Sequence, residues 1–297
     1  AWISNTATTA ILLPVALTAG RFGSPRFSAV TLLALAYTAS LGGLATKIGS
    51  VTLALSGDEI RAQIVRSTLF VLAINIASIT LVFGASGYVG TNLVPALLAA
   101  GHRVRAAARN RQVLEARDWP GVERVEADAL QPQSLPAALA GVHTAYYLVH
   151  SMTAGRGFEQ LDLRAAEHFA AAAAAAGVRH IVYLGGLVPA TADSAHLVSR
   201  RQTGERLRAG PVPVTEIRAG VIVGPGSAAY EVIRDLVYHL PLMVTPRWVR
   251  SRSAPIALSN LIEYLLRLPP RVPEGGGIYD AAGPEVLSYE ELMRQFG

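Results

Sequence analysis

Gly84-Ala85-Ser86-Gly87-Tyr88-Val89-Gly90 follows the apolar run Ile79–Phe83 and opens an apolar-periodic segment reaching Ala100. A glycine triplet is a weak signal alone, but between a strand and a helix it specifies a dinucleotide-binding turn. Gly84 permits the tight turn, Gly87 lets backbone approach a pyrophosphate, and Gly90 lets helix pack on strand. The phosphates then meet N–H groups that a helix leaves unpartnered at its N-terminus. Ser86, Tyr88 and Val89 are expected to join the three glycines around the cofactor.

Outward from this turn, strands are predicted at Ile79–Phe83, Arg103–Ala108, Val122–Ala127, Thr144–Val149, His180–Leu184 and Val214–Arg218. A helix is predicted over Val89–Ala100, and a longer one over Phe158–Ala176, stopped by Gly177. Strands alternating with helices of this length imply an α/β fold, a doubly wound parallel Rossmann sheet with a small C-terminal substrate-side region. Ser288, with Glu291 three residues on, reads as the capping box of a late helix.

The second strand ends in Arg109, and no Asp or Glu lies between Gly84 and Glu115. A carboxylate here would bind the ribose hydroxyls of NAD; a cation accommodates a 2′-phosphate instead. NADP is therefore expected over NAD, although Arg109 could also be a solvated surface residue. Asp128, just after the third strand, is placed to meet the adenine amino group.

From residue 79 to 297 the chain resembles the atypical short-chain dehydrogenase/reductases, near their NmrA-like and extended groups. The residues carrying the resemblance are the Gly84–Gly90 turn, Glu126-Ala-Asp128, Tyr146-Tyr-Leu-Val-His150-Ser-Met and Ile181-Val-Tyr-Leu-Gly-Gly-Leu187. His196-Leu-Val-Ser-Arg200, Arg218-Ala-Gly-Val-Ile-Val-Gly-Pro-Gly226 and Gly277-Ile-Tyr-Asp-Ala-Ala-Gly-Pro-Glu285 extend it. The resemblance implies that Ala129, Val149 and His150 flank the cofactor, that Leu184–Gly186 (Leu184 and Gly185 foremost) line its face, and that Val221–Gly226 closes over the nicotinamide.

Reductases of that kind move a substrate proton with a Tyr, assisted by a Lys four residues later and a Ser after the fifth strand. Here Gly185-Gly186-Leu187 stands in place of the Ser, and His196 and Arg200 stand at the Tyr and Lys spacing. Lys47 is the only lysine in the chain, so the missing Lys cannot be supplied from elsewhere in this domain. Two readings stay open. His196 could serve as a proton donor, with Arg200 holding the nicotinamide ribose. Alternatively both are ordinary residues on a helix face, and the domain binds cofactor with weak, altered or no turnover, as a redox sensor would.

Residues 1–78 differ in texture. Residues 1–20 and 27–46 are uncharged apolar stretches long enough to enter a bilayer, and a third apolar run covers Ser67–Phe83. Ser4-Asn5-Thr6 and Ala39–Gly49 resemble part of the divalent-anion/sodium symporters. That likeness implies a vestigial sodium site at Ser4, Asn5 and Thr6, with a membrane-associated segment ahead of a cytoplasmic residue 79–297 domain. Lys47 and Ser50 depart from the symporter pattern, and the stretch amounts to at most half of one repeat. The chain starts without Met and stops at Gly297 just after a helix start, which reads as C-terminal truncation.

Composition narrows the function classes. Cysteine is absent, which excludes a disulfide framework, a thiolate nucleophile and Cys-based metal sites. Residues 84–297 carry 21 basic and 19 acidic groups, so the net charge of +5 reflects no basic stripe and no nucleic-acid partner is expected. The expected partners are a dinucleotide and an unidentified small-molecule substrate.

Overall fold

Strand β1 (Ile79–Phe83) is buried at all five positions, as a central strand covered on both faces must be. The computed structural model describes residues 78–150, 157–188, 194–239, 247–269 and 275–295, and the chain divides after Ala77. The expected membrane segments, and Ser4, Asn5 and Thr6, lie outside the described residues. Among the described residues no helix is long and apolar enough to cross a membrane.

The main sheet continues with β2 (Arg103–Ala108), β3 (Glu123–Glu126), β4 (Val142–Tyr147), β5 (His180–Gly186) and β6 (Val214–Ala219), and β10 (Gly276–Ala281) completes it. The short pieces β7 (Ile222–Val223), β8 (Arg252–Ser253) and β9 (Ile256–Ala257) precede β10 (Gly276–Ala281) and β11 (Leu287–Ser288). The helices are α1 (Tyr88–Ala99), α2 (Arg111–Glu115), α3 (Leu135–Leu139), α4 (Phe158–Ala175), α5 (Ala195–Arg208), α6 (Ala228–His239), α7 (Leu258–Arg267) and α8 (Tyr289–Arg294).

Seven strands form one sheet in the order β10-β6-β5-β4-β1-β2-β3, every neighbouring pair parallel. The chain winds outward from β1 in one direction through β2 and β3, then crosses back to β4 and winds the other way. That reversal creates a crevice at the carboxyl ends of β1 and β4, where α/β sheets of this kind bind ligands.

Each face of the sheet has its own core. On one face Leu81, Phe83, Tyr147 and Tyr183 meet Phe169 and the alanines of α4, Leu135 and Leu139 of α3, and Leu207 of α5. The rings of Phe83, Tyr147 and Phe169 lie 4.8–5.9 Å apart, a spacing at which aromatic pairs add attraction beyond area burial. On the other face Val82, Val182 and Ile217 meet Leu93, Val94 and Leu97 of α1 and Leu261 and Leu265 of α7. Alanine-rich α4 suits its place: small side chains let a long helix approach the sheet closely while keeping high helix propensity. Gly177, at a φ of 72°, ends it.

Two strands differ from expectation by two residues, the other expected elements by at most one. β4 starts and ends two residues earlier than predicted, because Gly141, at a φ of 70°, launches the strand and Leu148-Val149 leave the sheet to pack on the glycine turn. β5 runs two residues further than predicted, since Gly185 and Gly186 still pair with Arg218 and Ala219 of β6. Beyond the main sheet, β7 pairs with β9, β8 pairs with β11, and Ile233, Val249, Leu292 and Met293 make a small separate core. The capping box forms there: Glu291 N–H donates to Ser288 Oγ at 3.1 Å, and Ser288 N–H to Glu291 Oε2 at 2.7 Å.

Candidate functional site

The glycine turn is built as a cradle. Gly84 holds a φ of 93°, and a Cβ placed on it would lie 3.0 Å from Val149 Cγ2 and 3.2 Å from the Leu148 carbonyl. Both the left-handed backbone and the close approach of the β4 exit therefore require glycine. Gly90 is tighter still: a Cβ there would sit 2.5 Å from Gly84 O and 2.7 Å from Ala85 Cα, inside van der Waals contact with backbone that cannot yield. Gly87 has ordinary extended dihedrals, and its added Cβ would meet only Gly84 O at 3.3 Å. Its freedom from a side chain is thus not demanded by the turn itself.

The first intrahelical bond of α1 runs from Thr91 N–H to Gly87 O, so the amides of Tyr88, Val89 and Gly90 have no helical partner. No acidic residue occupies the first turn and no side chain caps it. With the helix dipole behind it, this end attracts an anion. Ser86 and Gly87 are exposed beside it. The cradle, its free amides and the open crevice fit the pyrophosphate of a dinucleotide.

At the β2 end, Arg109 is exposed and makes no hydrogen bond or ion pair among the described residues. Its neighbours are committed: Asn110 Oδ1 accepts from Gln112 N–H to cap α2, and Arg111 pairs with Glu115. Asp128 follows β3 as expected, but one carboxylate oxygen accepts from Leu130 N–H at 2.9 Å, and its own N–H donates to Ser134 Oγ. Ala129 is buried and its carbonyl accepts from His168 Nδ1.

His150, His196 and Arg200 converge where β4 and β5 end, with Phe158 alongside. The rings of His150 and His196 lie 5.7 Å apart, and Phe158 lies 6.4 Å from His196. Arg200, one turn along α5, lies across Gly186: a Cβ on Gly186 would be 3.2 Å from Arg200 Cδ and 3.5 Å from its Nη1. Tyr183 Oη donates to the Arg200 carbonyl at 2.9 Å, fixing α5 on β5. Among the described residues, Arg200 Nε is buried without a hydrogen-bond partner. Burial and then the Arg200 charge push the His150 pKa down to about 4, and the same two causes lower His196. Both imidazoles are therefore neutral at physiological pH, which changes the picture of His196 as an acid with an ordinary pKa.

The other expected residues divide. Leu184 is buried with Val182 and Ile217 in the core of the α1 face. Gly185 is explained by a neighbour: a Cβ there would lie 2.9 Å from Oε1 of Glu216, a buried carboxylate ion-paired with Arg208.

Two features escaped the sequence reading. Asp162 and Ser199 are buried and hydrogen-bonded at 3.0 Å beneath the His150–His196–Arg200 group. A signal existed, because Asp162 shares the stripe of Ala165, Ala166, Phe169 and Ala173 that α4 turns to the core. Among the described residues, Tyr88 Oη is buried without a partner beneath Gly224, where an added Cβ would come within 2.8 Å of it. Burial and the nearby Glu231 raise its pKa. Among the described residues no group of His, Asp and Glu could hold a metal ion.

A model described as the NmrA-like family matches residues 77–201. The (4-alkanoyl-5-oxo-2,5-dihydrofuran-3-yl)methyl phosphate reductase of Streptomyces griseus is 32% identical over 224 residues, covering 72% of this chain and 71% of that protein. Sterol demethylase protein B of Methylococcus capsulatus is 34% identical over 126 residues, covering 39% of this chain and 38% of that protein. Among solved structures, DesIV, a dTDP-glucose 4,6-dehydratase of Streptomyces venezuelae with NAD and TYD bound, superposes with a TM-score of 0.63 at 18% identity. That match covers 73% of this chain and 80% of DesIV, and at such identity it shows the fold alone.

Proposed function

This chain belongs to the NmrA-like family of NAD(P)-binding proteins, and on that premise we propose that it is an NADP(H)-dependent reductase of a small-molecule substrate. The observation carrying the reading is the cradle at Gly84–Gly90, with three helix amides free and Arg109 open beside it. The bound cofactor would supply two reducing electrons as hydride. Tyr88, Val89 and Gly90 would hold the pyrophosphate through backbone amides, and Arg109 would pair with the 2′-phosphate. Asp128 offers its remaining carboxylate oxygen to adenine, while Val149 and His150 stand on the nicotinamide side. The Streptomyces griseus relative, matched over most of its length, is itself a reductase, which supports the direction of the chemistry.

A second reading, a redox-sensing module without turnover, is favoured by Gly186 in place of a hydroxyl and by the absence of lysine beyond Lys47. Titrating the 297-residue chain with NADPH and NADH tests the cofactor. NADPH is expected to bind at least ~10-fold tighter, about 1.4 kcal/mol, with the preference lost in Arg109→Ala. Equal affinities would overturn it. Turnover of any added carbonyl or alkene, followed by loss of NADPH absorbance, separates reductase from sensor.

A further inference from the structure

Taking the reductase reading as given, we propose that the substrate is an alkene conjugated to a carbonyl, and that Arg200 binds the carbonyl oxygen and stabilises it as an enolate. The geometry comes first. Arg200 fills the space left by Gly186 at the carboxyl end of β5, close enough for its charge to act on both His150 and His196. It has no ion-pair partner among the described residues, and its Nε is buried with no hydrogen-bond acceptor. A buried cationic donor without an acceptor is costly to keep, and a ligand oxygen would relieve that cost.

The chemistry then discriminates between substrates. Reducing a ketone leaves an alkoxide, a strong base that needs a proton from a nearby acid as it forms. Guanidinium cannot give one. His150 and His196 are uncharged, their pKa values lowered by burial and by Arg200 against the opposing pull of Asp162. Tyr183 Oη is committed to the Arg200 carbonyl, Tyr146 Oη to the Leu265 carbonyl, and Tyr88 Oη is covered by Gly224. Conjugate reduction makes a smaller demand. With a reduced nicotinamide supplying the hydride equivalent, the β-carbon would gain it and the π pair would move onto the carbonyl oxygen. The α-carbon later takes a proton from water, and the carbonyl reforms. The enolate is a weak enough base to persist while charge-assisted hydrogen bonds from a fixed guanidinium hold it. Among the described residues the site offers a cation without an acid, which suits this reaction and fails the other.

The test uses the full chain with NADPH and three six-membered rings: 2-cyclohexen-1-one, cyclohexanone and cyclohexene. NADPH oxidation is expected with the enone alone, giving the saturated ketone, with solvent deuterium appearing at the α-carbon in heavy water. A second readout needs no turnover. 4-Nitrophenol should bind as its phenolate, seen by its longer-wavelength absorbance below its solution pKa, and that signal should weaken at least ~10-fold in Arg200→Met while Arg200→Lys keeps part of it. Reduction of cyclohexanone as fast as the enone, or phenolate binding unchanged in Arg200→Met, would overturn the proposal while leaving the reductase reading intact. If NADPH itself fails to bind, the reductase reading falls instead.

Discussion

Gly186 and Arg200 share one space: the arginine side chain passes where any side chain on Gly186 would start, 3.2 Å from Cδ. The residue four positions after His196 is therefore placed by the absence of a side chain on the neighbouring strand. Because the crowded atoms belong to a flexible chain, Gly186→Ala should cost under ~1 kcal/mol of stability. It should nonetheless swing the guanidinium away and weaken 4-nitrophenolate binding several-fold. The double variant with Arg200→Met should bind no more weakly than Arg200→Met alone, since the two changes act on one contact. Additive losses in the double variant would show that the contact does not matter.

The glycine turn separates two roles that look alike in the sequence. Gly90→Val drives a branched side chain into the Gly84 carbonyl and Ala85, so the variant should fail to fold or lose several degrees of Tm. Gly87→Val meets only the Gly84 carbonyl, at 3.3 Å from its Cβ, and keeps ordinary extended dihedrals, so the fold should persist by circular dichroism. Dinucleotide binding should vanish all the same, because the new side chain covers the free amides. Undiminished NADPH binding by Gly87→Val would place the phosphates elsewhere.

Much of this architecture could be read from local pattern, and the residues show where reading stops. β1 and β2 fall where their apolar runs place them, and Ser288 caps its helix as its spacing demands. β10 was missed because it opens with glycines, which carry little strand propensity. It exists through pairing with β6, and Gly276, at a φ of 78°, approaches the Val214 carbonyl so closely that an added Cβ would lie 2.1 Å away. The spacing of His196 and Arg200 was visible in the chain. That His150, 46 residues earlier, would come within 5.7 Å of His196, ring to ring, depends on the β4 and β5 exits lying side by side, a tertiary fact with no local trace.

Acid should loosen the domain through its histidines. His102, His143, His150, His180 and His196 all have lowered pKa values, with burial the first cause in each. The sign follows: the unfolded chain takes up protons near the ordinary imidazole pKa of about 6.5, while folded His150 resists until about 4. This contribution is therefore whole above pH 6.5 and is lost as pH falls from there toward 4. For half-buried His150, solvent screening reduces it to on the order of 1 kcal/mol, or ~2–4 °C in Tm. Melting curves at about pH 7.5 and about pH 5 should show a clear drop, made smaller by His150→Gln, which cannot gain charge. A Tm independent of pH over that range would contradict the burial of these rings.

The last prediction concerns His196, which stands where a proton-donating tyrosine would be expected. Its ring is held between His150 and Phe158, and burial together with the Arg200 charge lowers its pKa. At neutral pH it is then an uncharged imidazole, and a neutral imidazole is a poor acid. Protonating it more readily would require a carboxylate close by, and Asp162, the nearest to act on it, is the weakest of its three influences and is hydrogen-bonded to Ser199. His196→Ala should accordingly change turnover of an enone less than ~2-fold, leave NADPH affinity nearly unaltered, and leave the pH profile without a limb near 6.5. His196→Gln, which keeps the volume of the ring, should behave the same way and guards against a packing defect mistaken for lost catalysis. Any residual rate then comes from positioning of substrate against cofactor and from Arg200, not from proton transfer. A loss of ~10²-fold or more in both variants, with a wild-type rate falling as pH rises past the imidazole pKa, would show instead that His196 carries its proton into the reaction.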